Sequence, residues 1–377
     1  MKKIALNFIY LSEQHAGGKD QVGLNLLRGL YELGYSSYFF VICYDFSIEV
    51  IKNISPDIQI VSIKPKFRGN ELMRMADVSR VNTFIIPGII KREKAILIYH
   101  LSCNNGFRKF KIPSVTIPHD IKAISHRTLS DLKIPFYKYY IYKIMYAVDF
   151  KNADFIIAIS DFDKKDIESY YPKRKDKIHR IYNPIITENL QIKTHLKKRY
   201  ICALNLQFHH KNIITLIKAF ESIKDQVKYN LVLIGKVPQR VIYLKKYVRE
   251  HNLENRVRFT GFIDDERVNS LFSQCILYVN PSMYEGFGMT AVEAIIKKVP
   301  TLLSKIPAHY EVTKGLASYY EPIDDYQALA SAILKCLDNR PTPSYLEKAK
   351  QRMIEEYDYL NIAKQYYTFF LNMIDKK

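Results

Sequence analysis

The apolar positions of this chain fall into short, β-branched blocks, each followed by a glycine, asparagine or proline turn and then by a stretch of helical period. Blocks at 3–11, 38–43, 58–63, 95–100, 114–117, 155–159 and 179–182 predict seven buried strands in the first half. Blocks at 200–204, 231–234, 256–260, 275–279 and 300–304 predict five in the second. Between them, helical spacing runs over 22–33, 133–150, 213–222, 290–297 and 328–337, and amphipathic helices continue from Ser344. Strands alternating with helices specify α/β architecture, a parallel sheet crossed by its own helices. A chain of 377 residues is long for one core, so two doubly wound units are expected. Their spans are 1–185 and 199–350, joined by a polar, lysine-rich linker at 186–198 and closed by helices at 351–377 that pack back across both.

The most informative stretch is 280–300. A strand enters it, Gly286-Phe287-Gly288 breaks it, and a helix follows. Such a turn aims the unpaired amides of Gly288, Met289 and Thr290 out of a helix N-terminus, where the dipole also favours negative charge. That is a seat for phosphate. Two glutamates frame it, Glu285 ahead of the turn and Glu293 one helical turn inside. Glu293 stands in the apolar sequence Ala-Val-Glu-Ala-Ile-Ile, where a carboxylate needs a hydrogen-bonding partner, and it shares a face with Met289. The vicinal hydroxyls of a ribose would suit it. The plain alternative is a solvated helix start with an incidental glutamate.

Pro281 to Met289 together with Glu293 resembles the signature of the family 4 retaining glycosyltransferases of GT-B fold: Pro-Ser-x-x-Glu-Gly-Phe-Gly-hydrophobe, with a second glutamate eight positions on. The resemblance covers nearly the whole chain, specific over 260–325 and looser in the first hundred residues. It implies two Rossmann-like domains with a cleft between them, the first on the acceptor side and the second binding a nucleotide sugar. The implied activity is transfer of a hexose or deoxyhexose from a UDP- or GDP-sugar to a glycan or lipid-linked acceptor in surface polysaccharide synthesis. Anomeric configuration is retained, without metal or other cofactor. Front-face attack, with the leaving phosphate taking the acceptor proton, fits a chain in which no carboxylate is identified as a covalent nucleophile.

Carried onto this sequence, the resemblance gives His119, Lys211 and Glu285 catalytic roles, Glu285 positioning the sugar. Donor binding falls to Gly17, Gly18, Lys211, Gly235, Lys236, Phe262, Gly286, Phe287, Gly288, Met289, Thr290 and Glu293. Several also read plainly from the residues. Gly17-Gly18 follows a strand and precedes a helix, an anion-facing arrangement or simply a tight turn. His119 and Asp120 stand at the carboxyl end of a strand, where parallel sheets bind ligands; a locally bonded turn histidine beside a helix-capping aspartate is the other reading. Phe262 either stacks on a base or packs. In the basic loop at 205–212, Lys211 and Asn212 match the family, but His210 replaces an arginine and an earlier arginine near Asn205 is missing. Pro184 stands where relatives have glycine, which would stiffen the hinge.

Asp161 and Asp163 form a DxD triplet, but it opens a helix, where aspartates act as cap and dipole partners, so a metal is not expected there. Five scattered cysteines suggest neither zinc nor disulfides. No apolar run is long enough to span a bilayer and no signal-peptide pattern opens the chain, so a cytoplasmic location is expected. The net charge of +19 is spread along the chain. A nucleotide substrate, an anionic membrane surface, a nucleic acid or plain lysine-rich usage each accounts for it. A tyrosine- and lysine-rich helix at 133–150 either lies peripherally on the inner face of the cell membrane or is a core helix with a lysine edge. The competing functions are a basic nucleic-acid-binding protein, though no recognition motif for one appears, and an inactive GT-B scaffold.

Overall fold

A computed structural model describes residues 3–14, 17–67, 69, 71–126, 136–187 and 200–375, so most of the expected linker lies outside the described residues. Two units result, one of 1–125, 135–186 and 357 onward, the other chiefly of 187–356. The long closing segment therefore divides: the Pro343–Tyr357 helix lies largely in the second unit and the Tyr359–Asp375 helix belongs to the first.

The first unit is built on β1 (Ile4–Asn7), β2 (Phe39–Tyr44), β3 (Gln59–Ile63), β4 (Leu97–His100), β5 (Ser114–Thr116), β6 (Phe155–Ala158) and β7 (Ile178–Arg180). They form one parallel sheet ordered β3-β2-β1-β4-β5-β6-β7. β1, β2 and β4 are buried at every position, the mark of strands covered on both faces. The apolar run 3–11 does not continue as a strand past Asn7, because Phe8 to Leu11 form a turn, with the Leu11 amide bonded to the Phe8 carbonyl at 3.1 Å.

The second unit carries β8 (Tyr200–Leu204), β9 (Asn230–Ile234), β10 (Val257–Phe259), β11 (Cys275–Asn280), β12 (Thr301–Ser304) and β13 (Ser318–Tyr320), ordered β10-β9-β8-β11-β12-β13 and parallel throughout. In each sheet the chain winds outward one way and then reverses, at β1/β4 and at β8/β11. The loops leaving those two strands part at that point and open a crevice at their carboxyl ends, where doubly wound sheets hold ligands. The two parallel Rossmann-like sheets are the GT-B architecture.

Packing within the first unit depends on a close approach. The Gly18–Glu32 helix lies on the Tyr359–Asp375 helix, and a Cβ added at Gly29 would sit 2.6 Å from the Ala363 Cβ and 2.7 Å from the Tyr359 carbonyl oxygen. Backbone cannot step aside as a side chain can, so Gly29→Ala should lower stability by about 1–3 kcal/mol in urea unfolding. Gly88→Ala, in a helix with open space around that position, is the control and should be neutral or stabilise by up to about 1 kcal/mol.

Candidate active site

At the β8/β11 fork the two loops are tied together. The Met283 amide donates to the His210 carbonyl at 2.8 Å. From the first loop, a 3-10 turn at His209–Lys211 ends in Asn212, held at φ 54° by its side-chain amide donating to the Ile323 carbonyl at 3.0 Å. This turn delivers Lys211. From the second loop comes Glu285, and Lys211 Nζ lies 2.6 Å from Glu285 Oε1, with each side chain less than 15% exposed. The Ser282 hydroxyl stands 2.8 Å from the same oxygen. Burial would raise the Glu285 pKa, but the Lys211 charge, with His309 and His210 adding to it, holds the carboxyl well below its usual range. The carboxylate is therefore ionised at any working pH.

Gly288 follows at φ 93°, ψ 51°, the left-handed region that suits glycine, and caps the Met289–Ile296 helix. Its missing side chain leaves the helix start open next to His309: a Cβ there would meet His309 Cδ2 at 3.4 Å and Nε2 at 3.8 Å. His309 Nδ1 lies 2.9 Å from the Ser304 carbonyl, which can only accept, so Nδ1 carries the proton. Its other nitrogen, Nε2, is buried with no hydrogen-bond partner among the described residues. Burial lowers the His309 pKa against the pull of Glu285, leaving the ring neutral at pH 7.

Several expected donor-binding residues gather here, though not all through their side chains. Gly286, Gly288, Met289 and Thr290 form the turn and the first helical residues, and Thr290 accepts a hydrogen bond from the Tyr278 hydroxyl at 2.8 Å. Phe287 is a correction: its ring is 2% exposed and packs inward, so a ligand would meet its backbone alone. Glu293 is half-buried, one turn inside the Met289–Ile296 helix. Gly235 and Lys236 close β9, and Gly261 and Phe262 follow β10, the two glycines bridging antiparallel. Phe262 does not pack. Its ring is 63% exposed, and Lys236 Nζ stands 4.6 Å from the ring centroid.

The first unit has its own cluster at the β1/β4 fork. Gly17 and Gly18 are exposed, with open space where side chains would be, and they start the Gly18–Glu32 helix. Lys19 follows, its pKa lowered to about 8 by burial and by Arg74, against the pull of Asp20. Arg74 is fixed by donating to the Tyr10 and Leu11 carbonyls at 2.9 and 3.0 Å. His119, at φ 66°, places Nε2 2.7 Å from the Leu101 carbonyl, and burial lowers its pKa to about 4. It is thus a neutral imidazole with Nδ1 as its free acceptor. The Asp120 carboxylate accepts from the Lys122 amide at 3.1 Å, so the local bonding foreseen as the alternative is present as well.

Sequence reasoning missed His309, Lys19, Arg74 and the Ser282 brace. Only the spacing of Ser282 from Glu285, on the loop already singled out, offered a signal. Of the Asp161/Asp163 pair, Asp163 joins the cap: the Ser160 hydroxyl, the N-cap, accepts from the Asp163 amide at 2.9 Å and Asp163 accepts from the Ile159 amide at 3.0 Å, while Asp161 lies 3.2 Å from Arg180 Nε. No cluster of metal-ligating side chains occurs among the described residues.

Two sheets of this winding, the second with a left-handed glycine cap beside an ion pair at its reversal point, define a glycosyltransferase of GT-B fold. Residues 16–189 match the model described as Glycosyltransferase Family 4 and residues 186–353 that described as Glycosyl transferases group 1. The chain belongs to glycosyltransferase family 4. Among its relatives, the O-antigen chain mannosyltransferase RfbU of Salmonella typhimurium is 28% identical over 58% of this chain and 63% of its own length. The serotype-specific mannosyltransferase WbdA of Escherichia coli is also 28% identical, over 56% of this chain and 28% of its own length. The chain thus spans less than two thirds of either. Among solved structures, sucrose-phosphate synthase of Thermosynechococcus elongatus superposes with a TM-score of 0.79 at 19% identity, each chain covered fully. Anabaena HepE, solved with UDP and glucose, gives 0.72 at 18% identity, covering 98% of this chain and 99% of that one. Identities this low speak for the fold alone.

Removing one partner of the central pair strands the other. Lys211→Met or Glu285→Gln alone should each cost about 2 kcal/mol, short of the 3–5 seen for fully buried pairs because both side chains keep some exposure. The double variant should lose clearly less than the sum in a denaturant double-mutant cycle.

The buried histidines of the first unit give a pH prediction. His100, lowered to about 3 by burial, and His119, lowered to about 4, refuse protons that the unfolded chain accepts below about pH 6.5. Their contribution to stability is full above pH 6.5 and is lost as pH falls from there toward 4, on the order of 1–2 kcal/mol each by pH 5. Melting temperatures at pH 7 and 5 should diverge less in His100→Asn and His119→Asn than in the parent.

Proposed function

We propose that this protein is a retaining, metal-independent glycosyltransferase that moves a hexose or deoxyhexose from a UDP- or GDP-sugar to a glycan or lipid-linked acceptor in surface polysaccharide synthesis. The observation that carries the reading is the Lys211–Glu285 pair at the β8/β11 reversal, next to the open helix start at Gly288. Mannose is the first sugar to test, because relatives of this chain are named mannosyltransferases.

Cleaving a sugar–phosphate bond leaves a diphosphate and an oxocarbenium-like ring, so the largest help is positive charge and oriented amides on the leaving group. Lys211 supplies a fixed cation, and the first-turn amides of the Met289–Ile296 helix supply the dipole end. Glu285, held ionised, accepts from sugar hydroxyls and orients the ring. Glu293 takes the ribose. The exposed Phe262 ring offers a face for the base, with Lys236 beside it. His119, neutral and fixed by Leu101, offers Nδ1 as an acceptor for a sugar hydroxyl. No carboxylate is assigned as a covalent nucleophile, so the acceptor attacks from the face the diphosphate leaves.

A panel of UDP- and GDP-hexoses, followed by thermal shift and by release of nucleoside diphosphate, tests this. One donor should raise the melting temperature saturably and be turned over. Lys211→Ala and Glu293→Ala should cut turnover of that donor by at least a hundredfold, about 2.7 kcal/mol of transition-state stabilisation. Near-normal turnover in both would remove the site assignment.

A further inference from the structure

The Phe136–Asn152 helix of the first unit is apolar on two opposite sides, and among the described residues only one of them is buried. Inward, Tyr146 and Phe150 are buried, with Tyr139 and Tyr142 half-buried, against Ile121, Ile124, Ile156 and Ile167. Outward, Phe136, Tyr137, Tyr140, Ile141 and Ile144 are exposed. The exposed lysines expected for a core helix are present as well, at Lys143 and Lys151. Helices apolar all round are found where both sides are covered, in a core or in lipid.

The uncovered side continues beyond the helix. Leu72, Met75 and Ala76 of the Glu71–Arg80 helix face Ile141, Ile144 and Val148 across a groove of about 310 Å³ that ends at Phe107. Its floor is fixed by the Asp149 carboxylate, which accepts from the Asn104 and Asn105 amides at 2.5 and 2.8 Å. Ile144, Phe136, Phe84 and Phe107 are between 58% and 70% exposed, far more than scattered surface apolar residues require. The rim is basic. Lys143 and Arg108 are exposed, Arg108 lying 5.7 Å from the Phe84 ring centroid, while the rim's exposed acid, Glu71, is taken up by Lys138 at 2.8 Å and the Tyr142 hydroxyl at 2.5 Å.

Tyrosine rings with polar tips, large aliphatic side chains and cations whose nearby acid is already paired suit a surface apolar below and negative above. We propose that this face of the first unit docks on an anionic phospholipid membrane, the outward side of the Phe136–Asn152 helix entering the headgroup boundary and Lys143 and Arg108 meeting lipid phosphates. The net charge of +19 draws the protein toward such a surface. The inference rests on the first unit alone and does not depend on which sugar is moved.

The test is co-sedimentation of the full chain, without nucleotide, with phosphatidylcholine vesicles with and without phosphatidylglycerol. Binding should require phosphatidylglycerol and weaken as salt rises. Lys143→Glu with Arg108→Glu should weaken it at least tenfold, as loss of two surface cations implies. Phe107→Ser with Ile144→Ser should weaken it comparably, and far-ultraviolet circular dichroism should be unchanged in both double variants. A parent that stays in the supernatant with anionic vesicles, or variants that bind as well as the parent, would overturn the proposal. So would a dimer in light scattering that Ile144→Ser dissociates, because a second copy would then be what covers the face. The melting shift with nucleotide sugar reports the transfer site separately: a parent that gives that shift but binds no anionic vesicles overturns only the docking proposal, and one that binds the vesicles but gives no shift overturns only the transfer reading.

Discussion

A carboxylate with little access to water needs a fixed cation, and in the second unit that requirement joins Glu285 to Lys211. The pair spans the two loops that leave β8 and β11, so it decides how those loops stand at the reversal of the sheet. Each partner is set by its own backbone device. Lys211 precedes a left-handed Asn212 whose amide is bonded to Ile323, and Glu285 precedes the left-handed Gly288 with Ser282 braced on its oxygen. Two left-handed residues and one ion pair thus shape a seat that neither loop could form alone. The His210–Met283 backbone bond holds the loops at that spacing, so the pair need not be stabilising by itself to fix the geometry.

The same winding serves both units with different chemistry at the fork. At β8/β11 the polar groups are an ion pair, a histidine and helix amides. At β1/β4 they are Lys19, Arg74 and a neutral His119, beneath a glycine pair that leaves the helix start exposed. Burial acts on both sets in the direction that disfavours charge: it lowers Lys19 and the histidines, and would raise Glu285 were Lys211 not adjacent. At β8/β11 the pairing leaves the site poor in net charge, whereas at β1/β4 Lys19, lowered only to about 8, and Arg74 both stay charged at pH 7.

Much of this was legible beforehand, for identifiable reasons. β-Branched blocks ended by glycine or asparagine gave the strands, because strands buried on both faces admit little else. The 286–288 turn declared itself because only a glycine there leaves a helix start open. What escaped was long-range or short. His309 reaches Gly288 from the far end of β12, and Arg74 reaches Tyr10 from a distant helix, contacts that no local spacing encodes. β13 was too brief to show a period, and Met and Arg among the apolar positions of 71–80 blurred the helix there. Phe287 came onto the donor-binding set with the signature turn, and a turn has no periodicity to say that its side chain is buried.

The pairing of Lys211 with Glu285 bears on what can bind beside it. An anion arriving at the Gly288 helix start meets a lysine already neutralised by Glu285, so it must draw Lys211 away and leave a carboxylate unpaired in a poorly hydrated place. A bare phosphate offers nothing to that carboxylate, and repels it. A nucleotide sugar offers both parts at once: diphosphate oxygens for Lys211 and the amides, and hydroxyl donors for Glu285. In the reading proposed here, the ion pair is therefore a selective element, one that a ligand displaces without penalty only if it carries negative charge and neighbouring hydroxyls at the spacing that Lys211 and Glu285 present.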